Sequence, residues 1–173
     1  MSSVIEACLV SLLPILAILA ALTDLTSYTI PNWISVSLAA AFAMAAIAAG
    51  LPPQAIGVHV AAAFVALLAG MALFAAGWIG GGDAKLLSAC CLWFGFPGGM
   101  SFLFDMAVAG GALSVLLIVA RGQMVRPFLP LLTGWAGRLT TPGAPAPYGV
   151  AIALGALMAF PSSEWLRFVH TSY

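Results

Sequence analysis

The sequence predicts an all-α protein that crosses a membrane about six times, and three observations support this fold class. The 173 residues are 64% hydrophobic and only 6% charged, with a mean hydropathy of +1.16, far from the composition of soluble domains. Long apolar runs alternate with short segments rich in glycine, proline and polar residues. Within each run the apolar residues are continuous rather than alternating, which favours helices over the strands of a barrel.

Six apolar runs have the composition expected of membrane spans. Because one helical crossing takes roughly 20 residues, the chain has room for about six spans, short loops and one membrane-embedded domain over residues 1–173. The predicted spans are residues 7–23, 34–49, 56–78, 86–96, 102–120 and 148–160.

The first run is expected to be retained as a span rather than removed. Glu6 lies directly before it, no basic segment precedes it, and no small-residue cleavage site occurs ahead of the polar segment DLTSYTIPN. That segment separates the first span from the second, and residues 51–53 separate the second from the third. A glycine-rich stretch, GWIGGGD, then separates the third span from the fourth.

The fourth and fifth spans are predicted to form a helical hairpin. Span four ends at FGFPGG, where we expect the chain to turn on Pro97, Gly98 and Gly99. Residues 121–147 form the longest polar segment and include several prolines and glycines. Within it, RPFLPLLTGW is predicted to lie along the membrane interface, before the sixth span.

The distribution of basic residues predicts the orientation. Loops after the first, third and fifth spans share one membrane face and hold Lys85, Arg121, Arg126 and Arg138, whereas the opposite face holds only Arg167. The positive-inside rule therefore places the first face in the cytoplasm and both termini outside.

Composition also argues against several classes of site. The net charge is zero with no run of basic residues, so nucleic acid is not an expected partner. Cys8, Cys90 and Cys91 lie in apolar runs and form no C-x-x-C pair. His59 and His170 fall near the outer face without a cysteine or carboxylate at metal-ligand spacing. We therefore expect neither a metal site nor a cofactor.

Two aspartates are predicted to meet at the cytoplasmic face. Asp24 ends the first span and Asp83 follows the third, so both emerge on the same side. Singly, Asp24 could be an interfacial residue and Asp83 an N-cap of the fourth span. Together they suit a pair that shares one proton, in which the ionised carboxylate activates water and the protonated one polarises a carbonyl. Asp105 falls toward the outer side, where a hydrogen-bonded structural role is expected.

Three consecutive glycines precede Asp83: Gly80, Gly81 and Gly82. They are expected to let a substrate backbone approach Asp83 and to let the chain take positive φ where the helix breaks, although a flexible turn would also use them. A phosphate-binding loop is excluded, because Lys85 follows Ala84 rather than glycine and Leu86 stands where Ser or Thr would hold magnesium.

Three stretches in this order resemble the type IV prepilin peptidases, membrane aspartyl proteases with a G-x-G-D motif. They are DLTSYTIPNW at 24–33, GGGDAKLL at 80–87 and PYGVAIALGAL at 147–157, and the resemblance covers nearly the whole chain. It implies that Asp24 and Asp83 are the catalytic pair. It also implies removal of a short basic leader from pilin-like precursors at the cytoplasmic face of the bacterial inner membrane.

The resemblance assigns the other candidate site residues. Gly80, Gly81 and Gly82 shape the site beside Asp83, and Pro147, Tyr148 and Gly149 do so from the third motif. Many relatives place basic residues where this chain has the neutral segment TSYT, so any recognition of leader charge is expected to fall to Lys85 or to the later arginines.

The larger members of that family carry a cytoplasmic insertion with paired C-x-x-C motifs and also methylate the new pilin N-terminus. Nothing of that kind lies between the predicted spans, so the chain resembles the short, peptidase-only branch associated with Flp or tight-adherence pili. Methyl transfer is therefore not expected. The oligomeric state and the particular pilin are left open.

Two alternatives remain from the residues alone. A small transporter or channel could bind a proton or cation with Asp24, Asp83 and Asp105, since carboxylates near membrane spans commonly mark ion paths. A non-enzymatic subunit of a pilus-assembly machine would tolerate replacement of both dyad aspartates. Loss of prepilin cleavage in aspartate variants separates the peptidase from both.

Overall fold

The computed structural model describes residues 2–122 and 134–166, which form α-helices and one 3-10 turn, without a strand among them. The all-helical prediction is therefore confirmed. The helices are α1 (Ser2–Ser27), α2 (Asn32–Ala48), α3 (Pro53–Ala75), α4 (Gly81–Arg121), α5 (Gly134–Leu139) and α6 (Tyr148–Ala159), and the turn is Phe160–Ser162.

Within the described ranges, three helical segments are long and apolar enough to cross a membrane: Val4–Ser27, Pro53–Ala75 and Gly98–Arg121. Two further apolar segments, Asn32–Ala48 and Tyr148–Ser162, are shorter. Large apolar side chains cover the outside of the bundle, as at Ile47, Phe104 and Ile118, which are at least 70% exposed. An outer surface of this kind suits lipid rather than water. The prediction of a polytopic membrane protein is confirmed.

Helix α4 consists of two arms that fold back on each other. Asp83 on the first arm lines the same hollow as Ser114 on the second, whereas a straight helix would hold these residues about 46 Å apart. The reversal occurs at Gly95, whose φ of 63° and ψ of −160° are not helical. Stacked rings of Phe94 and Phe102, with centroids 5.1 Å apart, pack the two arms together beside the turn.

The predicted hairpin is thus present, but its turn was placed two to four residues too late. Pro97, Gly98 and Gly99 lie within the helical residues after the break. The chain turns at Gly95 because glycine takes the left-handed φ without a steric penalty. A side chain at Gly95 would also meet the ring of His59, whose Cε1 lies 3.2 Å from the position of an added Cβ.

An aromatic cluster surrounds this turn. Trp93 is fully buried and packs edge-on against Phe42 and Trp165. Its indole N–H donates to the carbonyl of Leu38 at 2.9 Å, and the indole N–H of Trp165 donates to the carbonyl of Trp93 at 2.6 Å. Because each buried indole has a backbone acceptor, the cluster combines apolar packing with satisfied polar groups.

Small residues let α6 and α3 approach α4 closely. A Cβ added to Gly155 of α6 would lie 2.6 Å from the backbone of Met106, and one added to Gly70 of α3 would lie 2.9 Å from Ala84. Close backbone approach of this kind is a common packing mode of membrane helices. Helix α6 also packs on α1, so its N-terminus lies between the end of α1 and the start of α4.

The structure changes the boundary of the first helix, and several predicted features fall on residues that it does not describe. Helix α1 continues to Ser27, so Asp24 lies within the helix rather than after it. Arg126, Arg167 and His170 lie outside the described residues, as does most of RPFLPLLTGW. The last two residues of that segment begin α5.

Candidate active site

The polar segment after Asp24 ends one helix and starts the next. Side chains of the last turn of α1 bond to its own carbonyls, including Ser27 Oγ to the carbonyl of Thr23 at 2.6 Å. Tyr28 then takes a φ of 54° while its N–H donates to the carbonyl of Asp24 at 2.8 Å. Pro31 follows as the N-cap of α2. Asp24 is thereby held in the final turns of α1, where it is only 5% exposed.

The glycine-rich stretch places Asp83 in the first turn of α4. Gly80 is the N-cap, and Asp83 is the third helical residue. The Asp83 carboxylate reaches back and accepts the N–H of Gly80 at 2.9 Å, as in a capping box. Asp83 therefore helps to cap the helix from inside it, rather than from the N-cap position. Its side chain is 8% exposed.

The start of α6 contributes a backbone N–H that bonds to Asp24 and lies near Asp83. Pro147 is fully buried and is the N-cap of α6. Two residues later, the N–H of Gly149 donates to Asp24 Oδ2 at 2.8 Å. The same N–H also faces the Asp83 carboxylate. Because the N-terminus of a helix carries a partial positive charge, this arrangement favours negative charge on the pair.

Both aspartates line one cavity of about 250 Å³. The residues around it come from the end of α1, the following polar segment and the start of α4: Asp24, Tyr28, Thr29, Ile30, Gly80, Gly81, Gly82 and Asp83. The two carboxylates are close enough to repel each other. A like charge nearby disfavours ionisation of both carboxyl groups at once.

The surroundings of Asp83 favour its neutral form. It lies outside the three long apolar segments and before the predicted fourth span. Burial raises the pKa of the Asp83 carboxyl above its ordinary value, while the N–H groups of Gly80 and Gly149 offset part of this effect. Asp83 Oδ1 is buried and has no hydrogen-bond partner within the described part of the chain. Such an oxygen can carry a proton toward a bound carbonyl group.

Ile30 packs between the chain segments that surround the two aspartates. It is 9% exposed and contacts both Gly82 of α4 and Gly149 of α6. A Cβ at Gly82 would lie 3.1 Å from Ile30 Cβ, and one at Gly149 would lie 2.7 Å from Ile30 Cδ1. Sequence reasoning missed this role, although an isolated apolar residue within the polar segment DLTSYTIPN was a signal that it is buried.

None of the three glycines before Asp83 has a positive φ, so the expectation that they would adopt one was wrong. Gly80 has a φ of −76°, and the positive φ of this stretch belongs to Gly77, at 74°. Gly81 lies against the ring of Phe74, with 3.6 Å between an added Cβ and the nearest ring atom. That distance is an ordinary contact, whereas a Cβ at Gly80 would lie 3.0 Å from Asp83 Oδ2 and one at Gly82 would lie 3.1 Å from Ile30 Cβ, so space is restricted at these two positions.

The remaining candidate residues lie around the cavity rather than in it. Lys85 Nζ donates to Asn32 Oδ1 at 2.8 Å and lines a separate groove that includes Ser88. Tyr148 is 38% exposed and lines an apolar hollow of about 310 Å³ that shares Asp83 with the cavity. That hollow lies between α3, α6 and the two arms of α4.

Asp105 does not join the pair. It is half-buried on the second arm of α4 and lines neither the cavity nor the adjoining hollow. The expected hydrogen-bonded role is not seen, since no partner for its side chain occurs among the residues that the structure describes. Within that same part of the chain, no three His, Cys, Asp or Glu side chains are grouped as a metal site would require.

Comparison with known protein families identifies a match over the first part of the chain. Residues 11–115, more than half of the chain, match the sequence profile of the type IV leader peptidase family. The matched part contains Asp24 and Asp83 and ends before Gly149. Neither the curated proteins nor the solved structures gave a match.

Proposed function

The chain belongs to the type IV leader peptidase family, and from this premise we propose that it removes prepilin leaders as an aspartyl protease with Asp24 and Asp83 as its dyad. Membership makes it a membrane protease that acts on prepilins. The observation that carries the finer proposal is the cavity in which the two buried carboxyl groups meet, although 58 residues of chain separate them.

The proposed reaction uses a dyad that holds one proton. The ionised carboxylate takes a proton from water as the oxygen attacks the scissile carbonyl carbon, and the protonated carboxyl gives its proton to the carbonyl oxygen. The tetrahedral intermediate then collapses as the carbon–nitrogen bond breaks. The proton taken from water passes to the leaving amine, and the hydroxyl proton returns to the dyad. The Gly149 N–H faces both carboxyl groups and supports the single negative charge of the pair.

The dyad is proposed to face the cytoplasm from the bacterial inner membrane. The described arginines support this orientation, because both bind backbone at the end of the molecule that holds Asp24. Arg138 donates to the carbonyl of Thr26, and Arg121 donates to the carbonyl of Leu139 at 2.8 Å. Lys85 also lies at this end, two residues after Asp83. A concentration of basic residues at one end is typical of the cytoplasmic side.

Labelling of an introduced cysteine tests the orientation. Pro52→Cys lies between α2 and α3, at the opposite end of the helices from the dyad. An impermeant thiol reagent should label it in intact cells when position 52 faces outward. Labelling only after permeabilisation would reverse the proposed orientation.

The substrate is proposed to be a Flp-like prepilin, processed without methylation. The sequence supports this narrower activity, because its three cysteines form no C-x-x-C pair and no large insertion separates the helices. Purified protein should cleave the leader and leave the new N-terminus unmodified. Transfer of a labelled methyl group from S-adenosylmethionine to the product would refute the restriction to peptidase activity.

Cleavage of a reporter prepilin, with a short basic leader before an apolar segment, tests the dyad. Asp24→Asn and Asp83→Asn keep the size of the side chain and remove its ionisable proton, so each should abolish most cleavage. The double variant should lose little more, since the two residues act as one unit. The wild-type rate should follow a bell-shaped pH profile that belongs to the pair. Near-normal cleavage by either folded single variant would refute the dyad.

A further inference from the structure

Tyr28 has an unusual backbone conformation in the wall of the proposed peptidase cavity. Among the described residues it is the non-glycine residue with positive φ, at 54°. Bulky residues rarely adopt this region, because their Cβ crowds the backbone. Such strain persists only where surrounding contacts enforce it, and it is concentrated at functional sites.

Contacts from both sides hold Tyr28 in place. Its N–H is bonded to the carbonyl of Asp24, so the strained residue is tied directly to the dyad. Its flanking residues bond to each other, with 2.8 Å between the hydroxyl oxygens of Ser27 and Thr29. On the other side, the guanidinium of Arg138 lies 5.7 Å from the centre of the tyrosine ring. A cation at this distance attracts the ring and fixes its position.

The hydroxyl that this conformation buries has no hydrogen-bond partner among the residues that the structure describes. Buried tyrosine hydroxyls normally find one, because an unsatisfied polar group is costly. Three buried side-chain atoms lack a partner in the described ranges: Tyr28 Oη, Asp83 Oδ1 and Ser163 Oγ. Two of the three therefore belong to residues that line the dyad cavity. Unsatisfied groups gathered in one cavity indicate that a ligand satisfies them.

We propose that Tyr28 binds the substrate directly, with its hydroxyl donating a hydrogen bond to the carbonyl oxygen of the scissile peptide bond. This proposal rests on the proposed function of the cavity. A phenolic O–H suits the role, since it donates to a neutral carbonyl and more strongly as negative charge develops on that oxygen during attack, before the dyad carboxyl protonates it. It also adds no charge to the cavity, so the single proton of the dyad is undisturbed. The strained backbone holds the Tyr28 hydroxyl in position even when no substrate is bound.

Tyr28→Phe tests this role because it keeps the ring, the backbone position and the contact with Arg138. Loss of one donor to an oxyanion typically costs about 100-fold to 1000-fold in kcat. We expect a loss of about that size in cleavage of the reporter prepilin, with KM changed by less than about threefold. The melting temperature should stay the same or rise, since the buried hydroxyl bonds to none of the described residues in the free protein.

Ser11→Ala is the matched control. It also removes one hydroxyl, but Ser11 is an exposed residue of α1 whose hydroxyl, among the described residues, bonds to the carbonyl of Ala7 in its own helix. Its kcat and melting temperature should match those of the wild type. Asp24→Asn and Asp83→Asn are assayed in parallel, so that failure of the dyad and failure of the Tyr28 proposal give different results.

Each other outcome overturns the proposal. A kcat for Tyr28→Phe within about twofold of wild type, with both aspartate variants inactive, would leave the dyad intact and remove Tyr28 from substrate binding. A fall in kcat that parallels a fall in melting temperature would make the hydroxyl structural. Failure of Tyr28→Phe to fold would have the same meaning, because the two side chains differ only in that hydroxyl.

Discussion

Gly149→Ala is the most direct test of how α6 serves the two aspartates. A methyl group at this position would lie 2.9 Å from Asp24 Oδ2 and 2.7 Å from Ile30 Cδ1. Ordinary van der Waals contact begins at 3.4 Å, so these atoms must retreat by about 0.5 Å and about 0.7 Å, or α6 must move away. Either movement stretches the 2.8 Å bond between the Gly149 N–H and Asp24.

The expected effects on stability and on cleavage differ in size. Overpacking of a filled site costs about 1–3 kcal/mol, and replacing a helical glycine by alanine returns about 0.5–1 kcal/mol. The net loss of stability should be about 1–2 kcal/mol, which corresponds to a fall in Tm of several degrees. Displacement of a reacting group by up to about 1 Å can lower the rate about 100-fold. Cleavage should therefore fall by about two orders of magnitude while most of the protein stays folded.

Two other glycine variants supply the comparison, with reporter cleavage and melting temperature measured for all three. Gly57→Ala in α3 meets no atom within 4 Å, so it should keep full activity and equal or greater stability. Gly155→Ala meets the backbone of Met106 at 2.6 Å in the middle of α6, so it should lower the melting temperature most. If Gly149→Ala cleaves at more than about one third of the wild-type rate, contact between α6 and Asp24 does not position the dyad.

Three further variants have expectations set by burial, φ or close contact. Burial raises the pKa of Asp83, so the folded protein binds the proton of this carboxyl group more tightly than the unfolded chain does. The free energy of unfolding therefore falls as the pH rises above about 4. Asp83→Asn should therefore lose cleavage, and its melting temperature should decline less than that of the wild type between pH 4 and pH 8. An equal decline in the two proteins would contradict the effect of burial on Asp83. Gly95→Ala should lose about 1–3 kcal/mol, because a φ of 63° with a ψ of −160° is nearly restricted to glycine, and the methyl group would also crowd His59. Calorimetry showing no change would place the turn elsewhere. Gly82→Val should lower cleavage more than folded yield, because its side chain would press Ile30 toward the dyad, and equal losses would indicate a structural turn alone.

The count of predicted spans indicated which end of the molecule carries each aspartate, but not the direction in which every side chain points. Asp24 and Asp83 line one cavity, as their positions after the first and third apolar runs suggested. Lys85 follows Asp83 by only two residues, and residues with this spacing point to different sides of a helix. Its bond to Asn32 is the result, and helix geometry alone could have indicated it.

Other features depend on segments that meet only in the folded protein. FGFPGG offers several residues suited to a turn, and the ring of His59, from another helix, favours the glycine at position 95. The spacing role of Ile30 likewise requires α4 and α6 to be in place around it. Nothing in the composition of TSYT distinguished Tyr28, because its strained φ results from contacts with Asp24 and Arg138.

The turn at Gly95 sets the angle between the two arms of α4, and this angle affects the position of Asp83 at the other end of the first arm. Asp83 lies twelve residues before Gly95, a lever arm of about 18 Å along the first arm. A change of only about 3° at the turn would swing Asp83 by about 1 Å, while the second arm stays fixed to α6 through Gly155. Aromatic packing around Gly95 and the packing of Ala84 on Gly70 of α3 therefore both limit how far Asp83 can move relative to Asp24.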